Sequence, residues 1–330
     1  MEELNKILTA KDFESNQDIR WCPGCGDFAI LKQLQMVLPQ LGIPKENFVM
    51  VSGIGCSSRL PYYMNTYGMH TIHGRATAIA SGLKLTRPDL SVWIITGDGD
   101  ALSIGGNHLI HLLRRNIDVN ILLFNNQIYG LTKGQFSPTS ELHLHTKSSP
   151  NGTQDAPFRT LSLALGAGAT FVARSMDREA KHLQEVLKKA HAHTGSSFVE
   201  IYQNCHIFND GAFDKFSDRK VRKNNVLFVE ENEPLIFGEQ NNLGIKLDGY
   251  KPEIVDLSIH TDRSQLWIHD STDKIKAQIL SNFSEMGLPE IFGIIYSKEG
   301  LNTNHNKLHN ADNEHIKVNK LLQGANSWSV

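Results

Sequence analysis

Residues 91–100 read SVWIITGDGD, and residues 120–126 read NILLFNN. Each stretch begins with a run of apolar residues typical of a buried strand and ends in glycine or polar residues. A helix is predicted between them, over 103–115. A strand–helix–strand unit of this length favours two parallel strands in one sheet. The sequence therefore predicts an α/β fold, with a parallel sheet and helices on both of its faces.

The alternation of strands and helices continues on both sides of this unit. The further predictions are strands over 48–52, 170–173 and 198–203 and helices over 76–85, 157–166 and 178–192. The Gly/Pro-rich turn WCPGCGD at 21–27 precedes another predicted helix, with Asp27 as its N-cap. Residues 53–75 and 133–154 are predicted to be loops.

The pattern changes after residue 212, which divides the chain into four predicted segments. Residues 1–20 are a polar lead-in, and residues 21–212 form the main α/β module. Residues 213–300 form a smaller α+β extension. Residues 301–330 are rich in Asn and poor in apolar groups, and are predicted to form a flexible tail.

Composition excludes several classes of protein. The chain has 330 residues, of which 40% are hydrophobic and 21% charged, as in ordinary globular proteins. The net charge of -2 argues against a nucleic-acid partner. No apolar run is long enough to span a membrane, and the N-terminus lacks a signal peptide, so a cytoplasmic location is expected. The cysteines are then expected to be thiols, metal ligands or catalytic groups.

The sequence GDGD lies where a parallel sheet usually binds its ligand, at the carboxyl end of a strand. Gly97 and Gly99 permit a tight turn and close approach of the backbone to a phosphate. A dinucleotide-binding motif is excluded, because Leu102 occupies the position of its third glycine. Asp98 would also repel a bare diphosphate, unless a divalent cation lies between the two.

Magnesium suits this arrangement, because it prefers oxygen ligands and binds phosphates. The next strand ends in Asn126, whose amide oxygen would complete the shell with the carbonyl of Ile128. A GDG followed by a strand ending in NN resembles the thiamine diphosphate motif. That resemblance implies that Asp98, Asn126 and the Ile128 carbonyl hold Mg²⁺ against the diphosphate. The alternative is a pair of ordinary polar turns.

The four cysteines are Cys22, Cys25, Cys56 and Cys205. Four thiolates can bind one tetrahedral metal ion or one [4Fe–4S] cluster. A zinc ribbon would show a second C-x-x-C, and a redox dithiol would leave Cys56 and Cys205 unexplained. An isolated buried cysteine is common, so the cysteines alone leave these alternatives open.

Six separated motifs together resemble the β subunit of 2-oxoacid:ferredoxin oxidoreductases, most closely the 2-oxoglutarate-type branch. They are WCPGCG at 21–26, GIGCSSR at 53–59, HGR at 73–75, GDGD at 97–100, NNQIYGLTKGQ at 125–135 and the late Cys205. The resemblance spans roughly residues 18–300. It implies that residues 21–212 bind thiamine diphosphate and Mg²⁺, and that the four cysteines hold a [4Fe–4S] cluster. Zinc on the same four cysteines is the alternative.

The resemblance also implies a reaction and partners. The reaction is oxidative decarboxylation of a 2-oxoacid with coenzyme A to acyl-CoA and CO₂, or its reverse, with electrons passed through the cluster to ferredoxin. An α subunit is expected to provide the carboxylate that contacts the aminopyrimidine ring, because too little chain remains here for a second α/β module. The alternatives are a cluster-free thiamine diphosphate decarboxylase or synthase, and a zinc-stabilised binding module without activity.

Site residues follow from the same resemblance. The cofactor contacts it implies are Ser57, His73, Gly97, Asp98, Gly99, Asp100, Asn126, Ile128, Gly130 and Thr132. Pyruvate-specific members of the family have a sequence similar to Asn-Thr-Gly-Gly where this chain has Leu131-Thr132-Lys133-Gly134. Lys133 is therefore predicted to pair with the distal carboxylate of 2-oxoglutarate, with Leu131 beside it and Arg59 as a second cation.

Overall fold

An eight-stranded sheet is the largest feature of the computed structural model, which describes residues 8–259 and 262–299. The strands are β1 (Phe48–Ser52), β2 (Tyr67–His70), β3 (Ser91–Gly97), β4 (Val119–Asn125), β5 (Ile128–Tyr129), β6 (Gln135–Phe136), β7 (Phe171–Met176), β8 (Ser196–Tyr202), β9 (Val226–Val229), β10 (Ile236–Phe237), β11 (Leu243–Asp248), β12 (Lys251–Asp256) and β13 (Glu290–Ser297). The predicted strands of the main module are all present.

The order of the main sheet is β2-β1-β3-β4-β8-β7-β13-β9. Its strands from β2 to β7 are parallel, as predicted, and β13 pairs antiparallel with β7. Gly97 at the end of β3 is opposite Phe124, and Asn125 at the end of β4 is opposite Tyr202. The segments that follow β3, β4 and β8 therefore leave the sheet at the same edge.

Helices cover both faces of the sheet. The α-helices are α1 (Asp27–Val37), α2 (Ala76–Thr86), α3 (Asp98–Leu102), α4 (Gly106–Arg115), α5 (Thr160–Gly166), α6 (Ala180–Ala192), α7 (Asp214–Ser217), α8 (Arg222–Asn225) and α9 (Lys274–Leu280). Short 3₁₀ helices occupy Ala10–Phe13, Leu38–Leu41, Lys45–Asn47, Ser57–Tyr63, Arg263–Gln265 and Phe283–Met286.

The alternation of side chains along β3 creates the two cores. Val92 and Ile94 pack with α2 and α4 on one face, while Trp93 and Ile95 pack with α1 and α6 on the other. Because successive strand residues point to opposite sides, a fully apolar strand is buried twice. This explains why the central strands read as continuous apolar runs. No helix in the described ranges is long and apolar enough to cross a membrane.

Four local predictions were wrong. The stretch 133–154, predicted as a loop, contains the short strand β6 (Gln135–Phe136), which pairs with β5. Residues 53–75 contain a 3₁₀ helix and β2, whose four residues are all exposed and so lack the apolar signal of a buried strand. Asp98–Leu102, directly after Gly97 at the end of β3, forms its own short helix, α3, and the next helix begins at Gly106 rather than 103. Asp27 is the first residue of α1 and Gly26 is its N-cap, because the Asp27 carboxyl is buried rather than turned back to the backbone.

The C-terminal part of the chain completes the main sheet. β9 and β13 form its last two strands, while β10, β11 and β12 form a separate antiparallel sheet. Arg174 of β7 makes buried ion pairs with Glu200 of β8 and Glu290 of β13. The sheet therefore includes strands from both sides of the predicted boundary at 212–213. The predicted tail over 301–330 and residues 1–7 of the predicted lead-in lie outside the described residues.

Candidate active site

A cavity of 550 Å³ opens at the edge of the sheet where β3 and β4 end. Its lining residues are Ile54, Gly55, Cys56, Ser57, His73, Gly97, Asp98, Gly99, Asp100, Phe124, Asn126, Ile128, Tyr129, Gly130, Leu131, Thr132, Gln135 and Phe136. All ten residues predicted to contact a cofactor are among them. The parallel sheet brings these residues together from segments that are far apart in the sequence.

Asp98 lies at the start of α3 with its carboxylate buried. The hydroxyl oxygens of Ser137 and Thr139 each lie 2.6 Å from Asp98 Oδ2. Burial raises the pKa of Asp98, and the two hydroxyl groups oppose this by stabilising the carboxylate. The two contacts fix the orientation of the side chain at the wall of the cavity.

A network of buried polar side chains connects the Asp98 carboxylate to the interior of the sheet. Thr139 Oγ1 also lies 2.9 Å from Asn125 Oδ1, and Asn125 Nδ2 donates to Glu200 Oε1 at 2.8 Å. Glu200 is in turn paired with Arg174 at 2.7 Å. Because all of these groups are buried, each depends on its neighbour to replace the hydrogen bonds of water. The position of Asp98 is thus linked to the centre of the sheet.

Asp100 has a structural role, because both of its carboxylate oxygens contact hydrogen-bonding groups of the protein. Oδ1 accepts from the backbone amides of Ile54 and Gly74 at 3.1 and 2.7 Å, and Oδ2 accepts from the Thr96 hydroxyl at 2.7 Å. His73 Nδ1 lies 2.6 Å from the same Oδ1. Asp100 therefore holds the loops after β1 and β2 against the cavity and fixes the His73 ring.

Asn126 follows β4 and adds an amide oxygen to the cavity that Asp98 also lines. Its Oδ1 accepts from the Ile128 amide at 3.1 Å, and its Nδ2 donates to Gln203 Oε1 at 3.0 Å. These bonds settle which end of the amide carries oxygen. A carboxylate, an amide oxygen and a nearby backbone carbonyl form the hard donor set that suits Mg²⁺ on a diphosphate. The residues present therefore fit the predicted metal.

Two glycines permit the close packing of the loop after β4. A side chain on Gly99 would meet the ring of Tyr129 at 2.3 Å, and the Tyr129 hydroxyl donates to the Gly99 carbonyl at 2.9 Å. A Cβ on Gly130 would lie 3.4 Å from Cys205 Sγ and 3.6 Å from Cys56 Sγ. The backbone of Gly130 therefore lies at the cavity wall and against the sulfurs of two of the four cysteines.

The cysteine-bearing segments are tied to one another by hydrogen bonds. The Gly26 amide, after the C-x-x-C turn, donates to the carbonyl of Asn204 at 3.1 Å, next to Cys205. Trp21 Nε1 donates to the Cys56 carbonyl at 2.7 Å. Segments separated by up to 180 residues therefore meet behind the cavity, which gives four soft sulfur donors in one region.

The electrostatics of Cys25, Cys56 and Cys205 disfavour free thiolates. Burial, together with the Asp27 carboxyl, raises the pKa of Cys56 to about 12 and also raises that of Cys25. Burial raises the pKa of Cys205 and lifts that of Asp27 to about 7. Metal ligation requires thiolates, so binding of a cationic group here must release protons. Within residues 8–259 and 262–299, no three His, Cys, Asp or Glu side chains converge closely enough for a single ion.

Comparison with known proteins identifies the family. Residues 53–201 match the family "Thiamine pyrophosphate enzyme, C-terminal TPP binding domain". The chain is 54% identical over 283 residues to the 2-oxoglutarate oxidoreductase subunit KorB of Mycobacterium tuberculosis, which covers 84% of this chain and 74% of that protein. It is 43% identical over 205 residues to the 2-oxoacid:ferredoxin oxidoreductase subunit beta of Saccharolobus solfataricus, covering 62% and 67%.

The chain is a member of the 2-oxoacid:ferredoxin oxidoreductase β subunits. A solved structure agrees over nearly the whole length. The 2-oxoglutarate:ferredoxin oxidoreductase from Magnetococcus marinus, described as having 2-oxoglutarate, coenzyme A and succinyl-CoA bound, superposes with a TM-score of 0.77. It is 32% identical and covers 97% of each chain. The predicted family and α/β fold are confirmed.

Of the three predicted substrate residues of this β subunit, the structure places one at the cavity and two away from its lining. Leu131 lines the cavity, but Lys133 and Arg59 are not among the lining residues of the described chain. Lys133 is exposed, with a φ of 77° that is strained for a residue with a side chain. Arg59 Nε donates to the Tyr63 hydroxyl at 3.2 Å, and its charge opposes the rise in the pKa of Cys56 that burial causes. Arg59 thus lies on the cysteine side of the site.

Sequence reasoning missed three buried residues of this β subunit. Ser137 and Thr139 lie in the stretch that was predicted only as a polar loop, and they hold Asp98. Gln203 follows β8 directly and contacts Asn126. The sequence did indicate Gln203 as a candidate site residue, because it lies at the carboxyl end of a central strand and two residues before Cys205.

Proposed function

We propose that this chain is the β subunit of a 2-oxoglutarate:ferredoxin oxidoreductase. In the proposed reaction a 2-oxoacid and coenzyme A give acyl-CoA and CO₂, and electrons pass to ferredoxin. The observation that carries the proposal is the cavity itself. It is lined by Asp98, Asn126 and Cys56 together, and a Cβ on the lining residue Gly130 would lie within 3.6 Å of the sulfurs of Cys56 and Cys205.

The residues of this chain have distinct roles in the proposal. Asp98, Asn126 and the Ile128 carbonyl would hold Mg²⁺, and the four cysteines would hold a [4Fe–4S] cluster. Bound thiamine diphosphate supplies an electron sink for decarboxylation, and a bound cluster accepts the electrons singly. Asp100 keeps His73 and the loop after β1 in place at the cavity wall. Gly130 has no side chain between the cofactor cavity and the sulfurs of Cys56 and Cys205, which would allow the cofactor and the cluster to lie close together.

The preference for 2-oxoglutarate is supported by the relatives. The Mycobacterium tuberculosis relative is named for 2-oxoglutarate, and the Magnetococcus marinus structure is described with 2-oxoglutarate bound. Lys133 lies in the same loop as Leu131 and Thr132, which line the cavity. Its flexible side chain is proposed to reach the distal carboxylate of the substrate when the complex is assembled with an α subunit.

Replacing Lys133 by alanine should lower the preference for 2-oxoglutarate over pyruvate. A charge-assisted hydrogen bond contributes about 1.5–3 kcal/mol, so kcat/KM for 2-oxoglutarate should fall roughly tenfold to over a hundredfold. The value for pyruvate should change little, because pyruvate has no distal carboxylate. The measurement is kcat/KM for both substrates in the α/β complex, with ferredoxin reduction followed anaerobically.

The matched control is Lys147→Ala, an exposed lysine in the stretch after β6. It should leave both values unchanged. An equal loss on both substrates in Lys133→Ala would show that Lys133 supports the cofactor loop and does not select the substrate. A complex that turns over neither 2-oxoglutarate nor any other 2-oxoacid would contradict the proposed function.

A further inference from the structure

Gln203 lies between the two parts of the site and touches both. It is 1% exposed and comes directly after β8. Its Oε1 accepts a hydrogen bond from Asn126 Nδ2 at 3.0 Å. Its Nε2 lies 3.3 Å from Cys25 Sγ and 2.5 Å from the carbonyl oxygen of Asn204. One side chain therefore joins a proposed magnesium ligand to a proposed cluster ligand.

The contacts permit only one orientation of the Gln203 amide. Asn126 Oδ1 accepts from a backbone amide, so Asn126 Nδ2 must be the end that faces Gln203. A donor requires an acceptor, which places Oε1 of Gln203 toward Asn126. Its two N–H bonds then point to Asn204 and to Cys25. All three contacts are satisfied together, and rotating the amide by half a turn would break each of them.

We propose that Gln203 is a positioning residue shared by the two sites. It fixes the Asn126 amide so that the oxygen faces the metal, and it donates an N–H···S hydrogen bond to the Cys25 ligand of the cluster. Reduction adds negative charge to the cluster, so a donor at a ligand sulfur stabilises the reduced state and raises the reduction potential. This inference rests on the proposed function, since it requires that the cysteines hold a cluster.

Two variants separate the two contacts. Gln203→Glu keeps an oxygen toward Asn126 and replaces the N–H donor at Cys25 by a second oxygen. Gln203→Leu removes both contacts while nearly preserving the volume. The control is Gln33→Leu, another buried glutamine, whose side chain accepts a hydrogen bond from Gln184 at 2.6 Å. It tests whether loss of any buried amide gives the same effect.

The experiment uses the α/β complex purified anaerobically. A redox titration followed by electron paramagnetic resonance gives the ratio of reduced to oxidised cluster at the potential where half of the wild-type cluster is reduced. Both Gln203 variants should lower that ratio by about three- to tenfold, and tenfold corresponds to about 59 mV for a one-electron couple. The Mg²⁺ concentration for half-maximal thiamine diphosphate binding should rise by about tenfold or more in Gln203→Leu only. Gln33→Leu should change neither quantity.

Two results would overturn the inference in distinguishable ways. A wild-type complex without iron and sulfide would overturn the proposed function, and this inference with it. A wild-type complex with its cluster, and Gln203 variants that keep both the iron content and the wild-type ratio, would overturn the role of Gln203 alone.

Discussion

Asp98→Asn should abolish magnesium-dependent binding of thiamine diphosphate and, with it, turnover. The carboxylate is the one charged Mg²⁺ ligand proposed among the described residues, and Ser137 and Thr139 fix its orientation. Loss of an outer partner of a metal ligand costs about 10–100-fold in affinity, so loss of the ligand itself should cost more than about a hundredfold. Calorimetric titration of the α/β complex with the cofactor, at several Mg²⁺ concentrations, measures this directly.

A graded variant and a control accompany that test. Thr139→Val keeps the shape of the side chain but removes one hydroxyl from Asp98, and should weaken Mg²⁺ binding by about 10–100-fold. Asp89→Asn changes an exposed aspartate that pairs with Arg87 just before β3, and should have no effect. Wild-type magnesium dependence in Asp98→Asn would show that the metal is held elsewhere.

The purified chain alone should show no turnover, and addition of an α subunit should restore it. Activation of thiamine diphosphate needs a carboxylate at its aminopyrimidine ring. The carboxylates that line the cavity in the described part of this chain are Asp98 and Asp100. Asp98 is assigned to the metal, and Asp100 is hydrogen-bonded to His73, Thr96 and two backbone amides. We therefore expect the carboxylate that contacts the aminopyrimidine ring to come from another chain.

Reconstitution checks this expectation. The rate of 2-oxoacid-dependent ferredoxin reduction should rise with added α subunit and saturate once every β subunit is bound. A mixture of α subunit with the Asp98→Asn chain should stay inactive, which shows that the activity needs both chains. Full turnover by the purified β subunit on its own would refute the shared active site.

Sequence alone was sufficient to predict that Asp98 and Asn126 lie at the same edge of the sheet. Two apolar runs with a helix between them predict neighbouring parallel strands, and such strands end at one edge of the sheet. The observed pairing of Gly97 with Phe124 brings Asp98 and Asn126 to that edge. Local pattern and simple topology therefore determine the position of these two residues.

The cysteine side depended on contacts that local patterns do not encode. The C-x-x-C turn meets the segment of Cys205 through the bond from Gly26 to Asn204, across about 180 residues of sequence. Only the resemblance to a family predicted that meeting. Ser137, Thr139 and Gln203 were missed for a related reason. Their roles depend on how a loop and a strand end lie against Asp98, Asn126 and Cys25.

The edge strand β2 was missed because of its surroundings. All four of its residues, Tyr67–His70, are exposed in this chain, so the apolar pattern that marks a buried strand is absent. Backbone pairing with β1 defines this strand, and pairing alone leaves little signal in the sequence. A prediction that relies on the apolar pattern of buried strands therefore misses exposed edge strands such as β2.

The most direct test of the account is the metal and sulfide content of the anaerobically purified protein. One [4Fe–4S] cluster on Cys22, Cys25, Cys56 and Cys205 predicts about four iron and about four sulfide per chain. The protein should be brown, and Cys205→Ser should lower both values together. Stoichiometric zinc with no iron or sulfide in the wild-type protein would contradict the account.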